Sequence, residues 1–216
     1  PMRHSIIAAI ALPIALPAAL LLGASALSAR SQRAAAPQLP GTASTAAISG
    51  GTYQADANHT LVGWRVNHFG FNDYFGQFGQ ATGTLVLDKA RPAASTIDIT
   101  IPVASITTSA DRLTAHLQTP DFLDAAQFPT ARFVSRRVTA NRSRATILGD
   151  LTLHGVTRPV TINAQFVGAG TNPMNRKETV GFHGTLSIKR SDFGVLYALP
   201  IASDTVDLTI SAAFEK

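Results

Sequence analysis

Residues 149–162 read GDLTLHGVTRPVTI. Leu151 and Leu153 share one face of a first alternating run, and Val160 and Ile162 share one face of a second. Alternation with period two marks a β-strand with one buried face. Between the runs, Gly155 permits a backbone angle that residues with a Cβ avoid. Pro159 has no N–H to give a neighbouring strand, so it belongs at a strand start or on an edge. The segment predicts a β-hairpin whose connection runs from His154 to Arg158.

The same period recurs on both sides of this hairpin. Val62, Trp64, Val66 and His68 alternate with Gly63, Arg65 and Asn67. A second strand is expected over residues 76–88, with Gly79 and Gly83 loosening it or marking a bulge. Ile97, Ile99, Ile101 and Val103 define a third. The fourth covers residues 131–139 and leads into a tight Asn141-Arg142-Ser143 connection. The fifth and sixth, residues 145–153 and 159–166, contain the opening segment. Val180, Phe182, Leu186 and Ile188 mark the seventh, and Val206, Leu208, Ile210, Ala212 and Phe214 the eighth. Eight strands in mostly sequential hairpins predict an all-β fold, an eight-stranded antiparallel barrel. A two-sheet sandwich is the competing architecture.

One stretch departs from period two. In SADRLTAHLQTPDFLDAAQ, residues 109–127, Leu113 and Leu117 stand four apart with Ala110 on the same face, which predicts a short helix. Thr119 followed by Pro120, with Asp121 in the first turn, reads as a second helix start. One or two short helices are thus expected between strands three and four, covering one barrel end.

The first part of the chain has a different character. Arg3 and His4 precede an apolar run from Ile6 to Leu22, and small residues follow up to Ala29. That layout predicts a secretory signal peptide over residues 1–29. Pro13 and Pro17 argue against a membrane anchor. Residues 30–51, rich in Ala, Ser, Thr, Gly and Pro, are expected to be a flexible linker, and the folded domain to span 52–216. The 216 residues include no cysteine, so an exported domain must hold together by its core alone. Thiol chemistry, iron–sulfur clusters and cysteine-ligated zinc are excluded. The formal net charge is +5 with 14% charged residues. Export removes nucleic acid from consideration and leaves anionic lipid as the electrostatic partner, alongside plain solubility.

Several strings together resemble the YceI-like family, lipocalin-like polyisoprenoid-binding proteins of bacterial periplasms. Asp56 to Thr60 with Val62, Trp64, Val66 and His68 resembles that family's opening strand. Residues 101–133 resemble its strand, helices and following strand, and GDLTLHGVTRPVTI its central hairpin. SIKRSDFGV at 187–195 and SDTVDLTI at 203–210 resemble its ending. The resemblance implies a lipocalin-like barrel in the periplasm whose cavity holds a long isoprenoid chain, a polyprenyl lipid or a quinone tail. It implies binding, storage or carriage without covalent chemistry and without a cofactor, and it is compatible with a homodimer. A carrier of another amphiphile, such as a fatty acid or fatty amide, is the alternative, with a lipid-modifying enzyme behind it.

Candidate ligand contacts follow from inward parity. They are Trp64, Val66, Ile99, Ile101, Phe133, Ile162, Phe182, Leu186 and Ile188, with Val62, Leu208 and Ile210 on the same faces. Periodicity alone leaves a packed core and a ligand cavity equally open. Phe71 and Phe75 belong to an aromatic cluster with Phe69, Tyr74 and Phe78 that suits a cavity mouth, a membrane-docking rim or a plug. His68 follows Trp64 and Val66 on one face and can hydrogen-bond a quinone carbonyl, or serve as a core residue. On the helical segment, Leu113, Leu117 and Phe122 are further candidate ligand contacts at the covered barrel end. His116 shares a face with Arg112 and can meet a polar headgroup. Arg132, Arg136, Arg137, Arg142 and Arg144 flank one hairpin and predict an outward basic patch, or an ordinary solvated face. The six histidines show no HxH or HExxH spacing, and no GxSxG occurs, so neither a metal nor a catalytic residue is assigned.

Overall fold

The structure, a computed structural model, describes residues 38–216. The expected leader at 1–29 and the first part of the expected linker lie outside the described residues. Eleven strands are present among them: β1 (Gly51–Ala55), β2 (Leu61–His68), β3 (Asn72–Phe78), β4 (Thr82–Leu87), β5 (Thr96–Pro102), β6 (Thr107–Thr108), β7 (Thr130–Asn141), β8 (Arg144–Leu153), β9 (Val156–Thr171), β10 (Glu178–Lys189) and β11 (Thr205–Glu215). Every pairing is antiparallel, and β1 closes the circuit by meeting both β4 and β11.

Eleven strands make an eight-stranded barrel because three of its staves are each built from two strands. Along β11, Gln54 and Ala55 of β1 face Glu215 and Phe214, and Leu61 to Arg65 of β2 continue past Ser211 to Asp207. Residues 56–60 loop out between them. β3 and β4 follow each other along β2 and β1 in the same way, with residues 79–81 between. β5 and β6 do so along β4 and β3. The expected second strand over 76–88 is therefore one stave interrupted at Gly79 to Ala81, and β1 is an element that alternation did not reveal.

The central hairpin is tighter than its sequence suggests. Leu153 pairs with Val156, which leaves only His154 and Gly155 as the turn. Both have positive φ, 50° and 73°, the geometry of a type I′ turn that matches the twist of the flanking strands. A Cβ at Gly155 would lie 2.5 Å from the Phe128 ring, so space as well as backbone angle demands glycine. Pro159 is thus inside β9 rather than at its start. It pairs with Asp150 on one side, while β10 joins β9 only from Asn163 onward. The other flank of Pro159 is an edge, where its missing N–H leaves no bond unmade. Pro159, Val160, Ile188 and the buried Phe193 line the cleft between the diverging strands.

The helix α1 (Asp111–Leu117) forms as expected, but Thr119-Pro120 does not start a second one. Asp124 has φ of 44°, and Leu123 and Ala125 donate backbone hydrogen bonds to Leu117 and Gln118. The chain folds back on the end of α1 as a series of turns.

Closure is secured where the two ends of the domain meet. Tyr53, Leu85, Phe166, Ala169, Val180 and Phe214 form a buried cluster. The Tyr53 hydroxyl donates to the Glu178 carboxylate at 2.6 Å, and the Ser49 N–H and hydroxyl reach the same carboxylate at 3.1 and 2.8 Å. Thr42 and Ala169 exchange backbone hydrogen bonds of 2.9 and 3.0 Å. Residues 38–50, expected as part of a loose linker, therefore lie against the barrel. At the neighbouring stave end, the buried Glu215 accepts from Asn172 and Asn175 at 3.1 and 3.0 Å.

These carboxylates set the acid limit of the fold. Burial alone would raise the Glu178 pKa, but hydrogen bonds from Tyr53 and Ser49, with Lys216 close by, outweigh it and hold it below the ordinary 4.5. The Asn175 hydrogen bond, helped by those of Asn172 and Lys177, does the same for Glu215 against its burial. A carboxyl held below its unfolded value stabilises the fold above that value and ceases to do so as pH falls through the folded value. The melting temperature is expected to be flat from neutral pH to about pH 5 and to fall steadily below about pH 4.5, with a shallower fall in Glu178→Gln. Thermal melts across that range check this, and a wild type equally stable at about pH 3 contradicts it.

Candidate functional site

The barrel interior is divided into an open half and a filled half. An apolar cavity of about 610 Å³ occupies the end carrying the β7–β8 turn and the β4–β5 connection. Its space has a simple origin. Ala140 faces Ala145, Ala145 faces Ala164, and Ala164 faces Gly184, so one registered row of small residues crosses β7, β8, β9 and β10. Neighbouring strands lie about 4.8 Å apart, so this row leaves roughly 14 Å of wall with no side chain longer than a methyl. Ile210 and Val62 carry the row onward across β11 and β2.

Around the row stand the large apolar side chains. Ile99, Ile101, Phe133, Ile162 and Phe182 line the cavity, as do Val62 and Ile210, all at positions the alternation assigned to the inside. Phe182 meets Phe166 and Phe214 edge to face at 5.8 and 6.2 Å, a favourable arrangement for aromatic rings. Thr45, Ala46 and Ile48, from the segment before β1, complete the wall near the mouth. Sequence reasoning missed that segment and the row of small residues. The signal for the row was present as Ala or Gly at inward positions of consecutive strands, but its meaning depends on register.

The other half is filled. Trp64, the next inward position after Val62, is 8% exposed and stacks on Tyr74 at 6.3 Å between ring centres. A Cβ at Gly76 would come within 2.2 Å of its indole, so the cross-strand glycine makes room for the ring. The indole Nε1 is buried with no hydrogen-bond partner among the described residues. An unmet donor of this kind costs about 1–3 kcal/mol, so packing holds Trp64 in place. Val103, Ile106, Ile188, Phe193 and Val195 are buried toward the same end.

This division corrects much of the expected contact set. Trp64, Val66, Leu186 and Ile188 do not line the cavity, and neither do Leu208, Leu151, Leu153 or Val160. They occupy inward positions of the filled half, because parity gives the face of a residue but not its level along a stave. His68 lies beyond Val66, its ring edge-on to Phe69 at 4.3 Å. Phe71 and Phe75 are 88% and 61% exposed and belong neither to the cavity mouth nor to a plug. With Phe69, Leu196, Tyr197 and Ile201 they form apolar surface near the β2–β3 turn, which is joined to the loop by the Phe69 N–H bond to Ile201. Leu113, His116, Leu117 and Phe122 are absent from the cavity too. His116 sits 2.7 Å from the Asp121 carboxylate and packs edge-on against Phe122 and Tyr197.

Arg190 was not singled out by the sequence, yet it organises the filled end. It is 7% exposed, and its guanidinium donates to the carbonyls of Ser203, Val195, Tyr197 and Ala202 at 2.7–3.1 Å. Burial pushes its pKa down, with Asp204 opposing. The expected basic patch is also broken up. Arg132 is paired with Asp98 at 2.6 Å and Arg136 with Asp150 at 2.5 Å, and a bulge between Ser135 and Arg137 switches the facing of the strand. Arg142 and Arg144 instead reach the cavity rim. Among the described residues, no three His, Asp or Glu side chains are placed to hold a metal ion.

Two substitutions test the filled half. Trp64→Ala is expected to cost about 3–5 kcal/mol, while Trp64→Phe, which keeps a ring and removes the orphaned donor, costs less than about 1.5 kcal/mol. Denaturant titration measures both, and equal losses contradict the packing account. Arg190→Lys keeps the charge but loses the planar fork, and is expected to cost about 2 kcal/mol with faster amide exchange over residues 194–203. Unchanged exchange there contradicts the role assigned to Arg190.

Comparison with known proteins adds an independent line. A family model described as "YceI-like domain" matches residues 53–214. Protein YceI of Escherichia coli O6:H1 is 38% identical over 156 residues, which cover 72% of this chain and 81% of that protein. A UPF0312 protein of Pseudomonas aeruginosa is 36% identical over 156 residues, with the same 72% and 81% coverage. Among solved structures, BcnA of Burkholderia cenocepacia superposes with a TM-score of 0.66 at 25% identity, covering 74% of this chain and 98% of that one. A polyisoprenoid-binding domain from Saccharophagus degradans, implicated in plant cell wall breakdown, superposes with a TM-score of 0.56 at 16% identity, covering 76% and 97%. That last likeness is one of fold.

Proposed function

Because this chain belongs to the YceI-like family, we propose that its barrel binds the tail of a long-chain isoprenoid lipid, a polyprenyl lipid or a quinone, and stores or carries it in the periplasm. The observation that carries this reading is the apolar cavity of about 610 Å³ behind the row Ala140, Ala145, Ala164 and Gly184. Its volume falls within the ~300–1,000 Å³ usual for small-molecule sites. An apolar tail entering it gains roughly 0.8 kcal/mol per methylene removed from water. The isoprenoid class is supported by the polyisoprenoid-binding neighbour from Saccharophagus degradans. Export is supported by the apolar run from Ile6 to Leu22 and the small residues after it.

The reading is one of binding without covalent chemistry. His68 and His116, the side chains considered for acid–base work, stand outside the cavity. The lining is dominated by hydrocarbon, with His183, Ser95 and Ser143 among its few polar members.

The test is to fill the row. Ala164→Phe places a ring where the wall is thinnest and is expected to change stability by less than about 2 kcal/mol, since the space exists. Binding of a long polyprenol, measured by native mass spectrometry of the full chain, is expected to fall at least about tenfold. A folded Ala164→Phe protein that binds polyprenol as tightly as wild type contradicts the proposal. Wild-type preference for oleic acid over polyprenol would make the protein a fatty-acid carrier instead.

A further inference from the structure

We propose that the cavity mouth is a headgroup site for a phosphate or pyrophosphate, so that the bound lipid is an anionic polyprenyl phosphate rather than a neutral polyprenol or quinone. This rests on the apolar-tail reading above and adds the charge of the head. Lys89, Arg142 and Arg144 all line the cavity, and no carboxylate lines it. All three are exposed at the rim, where a head can stay in water while its tail is buried.

The three cations come from two sides of the opening. Arg142 lies in the β7–β8 turn, and Arg144 is the first residue of β8. Lys89 lies in the β4–β5 connection and donates to the Ala46 carbonyl at 3.1 Å, a neutral partner. Among the described residues, neither Arg142 nor Arg144 has a carboxylate partner. Arg65, Arg91, Arg132 and Arg136 each do. The carboxylate beside Lys89, Asp88, is occupied by Arg91, which meets it at 3.0 and 3.2 Å. The basic excess at the mouth is therefore not cancelled locally. Guanidinium groups present planar forks that match phosphate oxygens in pairs, and a point charge from lysine adds to them. Positive charge gathered at the rim of a low-dielectric cavity also steers an anionic head to it.

The experiment compares two lipids with the same tail. Full-length protein is titrated with a polyprenyl phosphate and with the matching polyprenol, at low and high salt, in wild type and in Arg142→Gln/Arg144→Gln. The phosphate is expected to bind about tenfold tighter than the alcohol in wild type, with the preference shrinking in high salt. In the double variant, whose melting temperature is measured alongside, the two lipids are expected to bind alike. Equal binding of both lipids to wild type overturns the headgroup site and leaves the isoprenoid reading standing. Failure of both to bind wild type overturns both. Inorganic phosphate alone is run as a competitor, and displacement of the lipid at matching concentration would mean a free-anion site and overturn the lipid assignment.

Discussion

The structure depends on a constraint of register. Ala140, Ala145, Ala164 and Gly184 fall side by side only because four strands pair in one alignment. A one-residue slip of any stave would turn its small residue outward and bring in a polar one. The alignment is fixed by short connections, above all the two-residue turns at Arg142-Ser143 and His154-Gly155. The opening hairpin thus does more than supply wall. Its tight turn sets the register that makes room for a ligand.

The cavity is bounded at both ends by packed and hydrogen-bonded structure. Below it, Trp64 fits over Gly76, and Arg190 gathers four carbonyls of the following loop. Above it, Tyr53, Ser49 and Glu178 join the segment before β1 to the end of the barrel. An apolar space of this size would tend to collapse if its walls were free to move, since close packing is favoured in protein interiors. Polar networks at both ends supply the stiffness that the small residues cannot.

Much of the fold was legible in the sequence, and the reason is the period. Alternation at 97–101, 145–153, 180–188 and 206–214 marks strands whatever their neighbours are. The inward faces of Ile99, Ile101, Phe133, Ile162 and Phe182 followed from it. What stayed hidden depends on pairing. Three staves are interrupted at 56–60, 79–81 and 103–106, and a break that preserves a stave is visible only once its partners are known. Trp64 and Ile188 share parity with Val62 and Phe182, but parity says nothing of depth along the barrel axis. Arg190 gave no signal either, because a buried arginine satisfied by backbone carbonyls has no partner type to recognise in sequence. Asp124 reversed the chain where Pro120 suggested a helix start.

The central claim is that the space behind the small-residue row exists to hold an isoprenoid tail. A crystal structure of protein isolated from its natural host, with no lipid added, tests it most directly. The account predicts continuous density with the regularly spaced methyl branches of an isoprenoid chain, from the rim at Arg142 past Ala164 toward Trp64, with Phe133 and Phe182 against it. Density absent from that path, with the aromatic side chains collapsed into the space, would contradict it.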